Sequence, residues 1–271
     1  MLKLTQDNAE AYIEEKGAYV SSLYLAGKKI LKEKQDEKLT HGGAAIMIPF
    51  ANRVKNHTYI FEGERYFLPG NDGQNSIHGL IMESQFDITT QEENYIVMNH
   101  RLSNPGFPSE LDIKIRFEIS MKQFTVKFSV KNTGSKRAPI VIGAHPYFIT
   151  KGDYQINCEE PTFKLNYIDK YFPDGMAEFV NLNGINLSGK ILDNTFYGGG
   201  KIILKSEYSY IEIDRKNMPF FVLYNGKYAE GKSIAIEPMT GAPDAFNNGI
   251  GLKIIDPLKS VNTQFKIKLL R

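Results

Sequence analysis

The chain has 271 residues, 42% of them hydrophobic and 24% charged, which allows a sizeable core with a wet surface and argues against disorder. Thirty-three basic against 31 acidic side chains leave a formal charge of +2, far short of the basic excess that nucleic acid or an anionic membrane would select. The one cysteine, Cys158, excludes an internal disulfide framework and suits a reducing compartment, so a cytoplasmic location is expected.

At the N-terminus, MLKLTQDNAEAYIEEKG places acidic residues where a secretory leader needs an apolar stretch, and no later apolar run has transmembrane length. Lys28 to Lys38 is the best helical candidate. Its acids and bases alternate without an apolar face, so it reads as a solvated hairpin edge. Residues 44–51 (AAIMIPFA) form a continuous apolar run. Phe117–Ile119 and Phe124–Val130 alternate apolar and polar side chains, the period of a half-buried strand. Ile140–Ile142, Lys201–Leu204, Tyr210–Ile213, Phe220–Tyr224, Ile234–Ile236 and Phe265–Leu269 read the same way. Turn-forming clusters separate them at 69–73, 132–135, 181–184 and 198–200. No 3.6-residue period persists over twelve residues, and neither a linker nor a repeat is visible. The pattern predicts one all-β domain over residues 1–271, a large antiparallel β-sandwich.

Several local motifs carry no weight. Gly226 to Ser233 (GKYAEGKS) matches the phosphate-loop pattern, but that loop needs a helix beginning at its lysine. The chain instead continues as SIAIEP, a strand, so a hairpin turn is predicted. The sequons at Asn56 and Asn186 mean nothing without export. His41, His57, His78, His100 and His145 show no i, i+4 pair and no cysteine partners, so no metal is predicted. No G-x-S-x-G elbow supports a serine hydrolase.

Four places carry polar residues in awkward company. Asn52 and Arg53 follow the apolar run, and His78-Gly79 follows a long polar loop. His145 closes a strand and leads into Pro146-Tyr147-Phe148. Glu237 follows Ile234-Ala-Ile236 and opens the segment EPMTGAPDAFN. Each alone has a bland reading as a strand-end hydrogen bonder, a surface cap or an exit into solvent. Together, NR at 52–53, HG at 78–79, HPYF at 145–148 and EPMTGAPDAFN at 237–247 resemble, in the same order, the signature segments of the aldose 1-epimerase (galactose mutarotase-like) family. Residues 15–23 resemble that family's opening strand and residues 124–148 its central hairpin.

The resemblance implies a supersandwich fold and a hexose as substrate, with no cofactor. Anomer exchange breaks the C1–O5 bond, rotates about C1–C2 and closes on the other carbonyl face. One group must take the C1 hydroxyl proton while another protonates the ring oxygen. By resemblance Glu237 is that base and His145 the acid. His78, Arg53, Asn52 and Asp193 bind the sugar, and Tyr147, Phe148 and Phe246 are candidates for an aromatic floor. Met239-Thr240-Gly241 stands where galactose mutarotases carry Pro-Gln, and residues 221–225 lack their glutamine; both differences bear on galactose specificity. One alternative is a hexose-6-phosphate 1-epimerase, with Arg65 and Arg215 as the candidate phosphate ligands. Another is a non-catalytic sugar-binding protein on the same fold. The expected partner in each case is a small sugar rather than nucleic acid or membrane, the protein being a monomer or homodimer.

Overall fold

The computed structural model describes residues 1–271. Two antiparallel sheets dominate it. The larger has eleven strands. Ten lie side by side in the order Leu2–Gln6, Ala9–Glu14, Tyr19–Leu25, Ala44–Met47, Gly143–Ile149, Ser233–Met239, Phe220–Tyr224, Asp193–Gly198, Thr162–Tyr167 and Pro173–Val180, and Lys28–Lys29 pairs with the third. The smaller has eight, from Asp87–Gln91 through Tyr95–Leu102, Leu111–Ser120, Gln123–Asn132, Ser260–Leu269, Tyr210–Lys216 and Ile202–Ser206 to Tyr154–Cys158. The only α-helix is one turn, Ala245–Asn248, and no helix is long and apolar enough to cross a membrane.

The smaller sheet shows why alternation was readable. Leu111, Ile113, Ile115, Phe117 and Ile119 point inward, as do Phe124, Val126, Phe128 and Val130 on the neighbouring strand. Between them Lys127 and Arg116 reach Glu118 on the wet face. These inward side chains meet those of the larger sheet, Ala11, Ile13, Leu23, Ile46, Phe148, Ile234, Ile236 and Leu223 among them, in one apolar cluster of 56 buried residues. This is a β-sandwich, with side chains of period two closing the core.

The middle of the larger sheet obeys a different rule. Ala44–Met47 and Ser233–Met239 are buried at every position, and Gly143–Ile149 at all but the last. One face packs on the core; the other floors a cavity and a second apolar cluster around Met47, Val222 and Met239. Strands buried on both faces lose the alternating signal. Two expectations change accordingly. His145 does not close a strand, because Gly143–Ile149 runs through it and through Pro146. Glu237 does not mark an exit into solvent, because Ser233–Met239 continues past Pro238 and leaves the glutamate 2% exposed. Ile140–Ile142 is likewise divided, with strand Ala138–Ile140 ending before Val141.

Lys28 to Lys38 starts as expected, pairing Lys28 and Lys29 with Leu25 and Tyr24, but Ile30 and Leu31 then turn inward and are buried. The phosphate-loop look-alike is a turn: a 3-10 segment at Lys227–Ala229 joins two antiparallel strands.

Arg215 holds a chain junction together from inside. Its guanidinium lies over the Phe221 ring and donates to the carbonyls of Met218 (3.0 Å), Phe220 (3.3 Å), Gly198 (2.6 Å) and Gly200 (2.7 Å). Burial depresses its pKa to about 10, which leaves it cationic at neutral pH. Arg215→Met strands four carbonyls in an apolar setting. It is expected to cost about 3 kcal/mol, read as a lowered urea midpoint with an unchanged slope.

Candidate active site

The register of the larger sheet decides what meets what. Gly143 pairs with Met239 and Tyr147 with Ala235, so His145 stands directly opposite Glu237 on the adjacent strand. Cross-strand partners share a face, and here that face lies away from the core. The imidazole Nε2 comes within 3.1 Å of Glu237 Oε1, both side chains almost wholly buried. The ladder is altered at this point. Thr240 donates to the Ile142 carbonyl, which fixes every second pair as a hydrogen-bonded one. The amides that would close the pair around His145 and Glu237 therefore belong to residues 146 and 238, and both are prolines.

Extending the face sideways adds aromatic rings. Tyr147 stacks on His145 with ring centroids 4.8 Å apart, and Tyr224 meets both edge-on at 6.3 Å. Asp193 pairs with Tyr224 and stands exposed at the rim. The opposite wall comes from a short ribbon in which Arg53 and Val54 pair with Ile77 and Ser76. Asn52 and His78, both with positive φ, turn the chain at its ends, and the His78 amide donates to the Asn52 carbonyl. Gly79 follows at φ +86°, where a Cβ would sit 2.3 Å from the Ile48 carbonyl oxygen, so the histidine is pressed inward by a residue that only glycine can be. His78 reaches His145 edge to face at 5.4 Å.

Arg53 is held on several sides. Its Nε donates to Asp72 Oδ2 at 2.6 Å, and its guanidinium carbon lies 3.8 Å over the Tyr171 ring. Its backbone amide donates to Asn52 Oδ1, and its carbonyl accepts from the Asp244 amide. Asp244, buried, in turn accepts from the Lys55 amide. No hydrogen bond within the protein engages the distal nitrogens of the fork, and Arg53 lines the cavity.

All six residues singled out in the sequence, Asn52, Arg53, His78, His145, Asp193 and Glu237, line one cavity of about 620 Å³. Tyr147 joins them. Phe148 and Phe246 do not: Phe148 points from the same strand into the core, and Phe246 packs on Phe50 and Tyr59. Neither phosphate candidate is present, since Arg215 serves the chain junction and Arg65 sits exposed on the hairpin of Thr58–Phe61 and Glu64–Phe67. The residues not anticipated are His41, Tyr224 and Tyr228, which line the cavity, and Asp72 and Tyr171, which hold Arg53. Tyr224 ends a strand that was anticipated. Tyr228 lies inside the GKYAEGKS segment, where a turn gave no reason to look for a ligand contact.

Burial governs the electrostatics. It pushes the Glu237 carboxyl well above the ordinary range, with Asp193 adding to the rise and Arg53 opposing it. It drives His145 down to about 3, and His78 well below its usual value with help from the charges of His145 and Arg53. Glu237 Oε2 and His78 Nδ1 are buried without a partner in the protein, so a ligand with hydroxyl groups would satisfy what the fold leaves open. No three His, Cys, Asp or Glu side chains are grouped closely enough to hold a metal ion.

Comparison with known proteins matches the Aldose 1-epimerase family model over residues 1–268. The Escherichia coli (strain K12) protein YihR is 24% identical over 98% of this chain and 92% of its own length. The aldose 1-epimerase of the same organism is 23% identical over 54% of this chain and 45% of its own. Among solved structures, a galactose mutarotase-like protein from Clostridium acetobutylicum superimposes with a TM-score of 0.86 at 18% identity, covering 98% of this chain and 94% of that one. With the family match running almost end to end, this chain belongs to the aldose 1-epimerase family.

Proposed function

We propose that the protein is an aldose 1-epimerase that interconverts the α and β anomers of a free hexose. The observation that carries this reading is the 3.1 Å approach of His145 Nε2 to Glu237 Oε1 on the floor of the cavity. O1 and O5 of an aldose are bonded to the same carbon, so the groups that handle their protons must stand side by side. Glu237 takes the O1 proton as the C1–O5 bond breaks and C1=O1 forms, and His145 delivers its Nε2 proton to O5. After rotation about C1–C2 the roles reverse: His145 recovers the O5 proton, O5 attacks the other face of C1, and Glu237 returns a proton to O1.

The pair thus works with one proton more than its fully deprotonated form. Ring opening starts from the tautomer that holds the proton on His145 and ends with the proton on Glu237. Burial favours the second arrangement, because it raises the glutamate and lowers the histidine. In the reactive tautomer the carboxylate is then a stronger base and the imidazolium a stronger acid than either would be in water, which favours the proton transfers while making that tautomer the minor form. Arg53 supports the reading as the hydroxyl-binding fork. It is the only arginine lining the cavity, whose one other strong cation is Lys38, so no bidentate pair of arginines is offered to a 6-phosphate.

Glu237→Gln is expected to slow anomer exchange of fresh α-glucose or α-galactose roughly 10²–10⁴-fold, followed by polarimetry. A mutant rate equal to wild type would remove the base and with it the proposal.

The pH dependence has its origin in the same pair. As pH falls, a second proton lands on the couple and the base is lost; as pH rises, the single proton leaves and the acid is lost. With His145 depressed below its ordinary 6.5 and Glu237 raised above its ordinary 4.5, the two limbs move apart. The expected kcat/KM profile is a broad bell with its acid limb below pH 6.5 and its alkaline limb above 4.5, both apparent values belonging to the couple rather than to either residue. An acid limb at or above 6.5 would contradict this assignment.

A further inference from the structure

A second histidine–carboxylate pair stands at the edge of the same cavity, His41 lining it and Asp36 outside, apart from the acid–base couple. Leu39–His41 is a 3-10 turn that leads into the strand Ala44–Met47. His41 Nδ1 is 2.7 Å from Asp36 Oδ2, and its ring stacks on Tyr228 with centroids 3.4 Å apart and planes inclined by 14°. The turn is tied down once more, by the Tyr147 hydroxyl donating to the Thr40 carbonyl at 3.0 Å. An ionised carboxylate only accepts, so Nδ1 of this imidazole carries a proton, and in the neutral ring Nε2 is an acceptor. His41 lines the cavity, and Nε2 is neither bonded within the protein nor among its sealed polar atoms. The rest of the ring is locked, and one polar atom is offered to a ligand.

The strand order indicates which part of a sugar arrives there. With Glu237 at O1 and His145 at O5, the ring continues from O5 to C5, so the substituent on C5 lies beyond His145, away from Glu237. Moving across the sheet from Glu237 to His145 and onward reaches Ala44–Met47, and the His41 turn that precedes this strand in the chain is tied to the His145 strand through the Tyr147 hydroxyl. Moving the other way reaches Tyr224 and Asp193.

We propose that His41, oriented by Asp36 and Tyr228, is a specificity-determining residue whose Nε2 accepts a hydrogen bond from the exocyclic hydroxymethyl group on C5 of the aldose. The inference rests on the epimerase reading and deepens it: the enzyme selects aldohexoses over pentoses, and the selection resides in a wall that neither acid nor base touches.

The test compares glucose with xylose, which lacks the exocyclic carbon, in wild type and His41→Phe. Phenylalanine keeps a ring to stack on Tyr228 and removes the acceptor. The expected result is a KM ratio of xylose to glucose that falls about tenfold, with kcat for glucose largely retained. Asp36→Leu, which frees the imidazole tautomer, is expected to shift the ratio in the same direction. A ratio unchanged in His41→Phe, or a fall confined to kcat on both sugars, would overturn the assignment. Glu237→Gln run in parallel separates the two levels. If it is inactive while His41→Phe is silent, only the C5 subsite falls; if it keeps the wild-type rate, the epimerase reading falls and the subsite with it.

Discussion

The structure turns on one apposition: two side chains of opposite acid–base character held in register on neighbouring strands at the middle of a sheet. A β-ladder fixes relative position more firmly than any loop, because sliding one strand by a single residue would send every side chain to the other face. Here such a slip would bury His145 in the core and leave Glu237 without a partner. The remaining strands serve that placement. The eight-stranded sheet supplies an apolar backing against which Phe148, Ile234 and Ile236 anchor the same two strands from behind.

Around this fixed centre, the contacts to the rest of a ligand come from segments that are irregular but individually tethered. Arg53 is reached by Asp72, Tyr171 and Asp244 from three separate stretches of chain, and His78 is set by a glycine packed against the Ile48 carbonyl. The division of labour is physical. In the proposed reaction proton transfer tolerates little positional error, and its two groups sit on strands. The proposed contacts to hydroxyl groups tolerate more and are distributed over turns. Burial serves both, since it perturbs the two acid–base groups in opposite directions and strengthens every hydrogen bond made to a ligand.

How much of this was legible in the sequence depends on how much of each strand is wet. Leu111–Ser120 and Gln123–Asn132 carry a solvated face, so their alternation named the strands and the fold class directly. Ala44–Met47, Gly143–Ile149 and Ser233–Met239 are dry on both sides and contain prolines or run up to one, so their limits were misjudged while their polar residues stood out against apolar neighbours. Parity explains the aromatic error. Tyr147 shares the face of His145, two residues earlier, whereas Phe148 must point the other way. Arg215 could not be told from a ligand-binding arginine, because its partners are backbone carbonyls that leave no trace in composition. Tyr228 and His41 were hidden for another reason: their significance is a contact between two turns far apart in the chain.

The prolines at 146 and 238 leave the carbonyl oxygens of Ala144 and Ile236 facing positions that can never donate to them. Elsewhere in a sheet such a pair of defects would invite slippage, yet here the register resumes on both sides, at Gly143–Met239 and Tyr147–Ala235. The result is a short seam, stitched at each end and unstitched between. Across it the two strands share two fewer backbone hydrogen bonds than an ordinary ladder would present, so the floor beneath His145 and Glu237 is held by side-chain packing and by the pairs at either end.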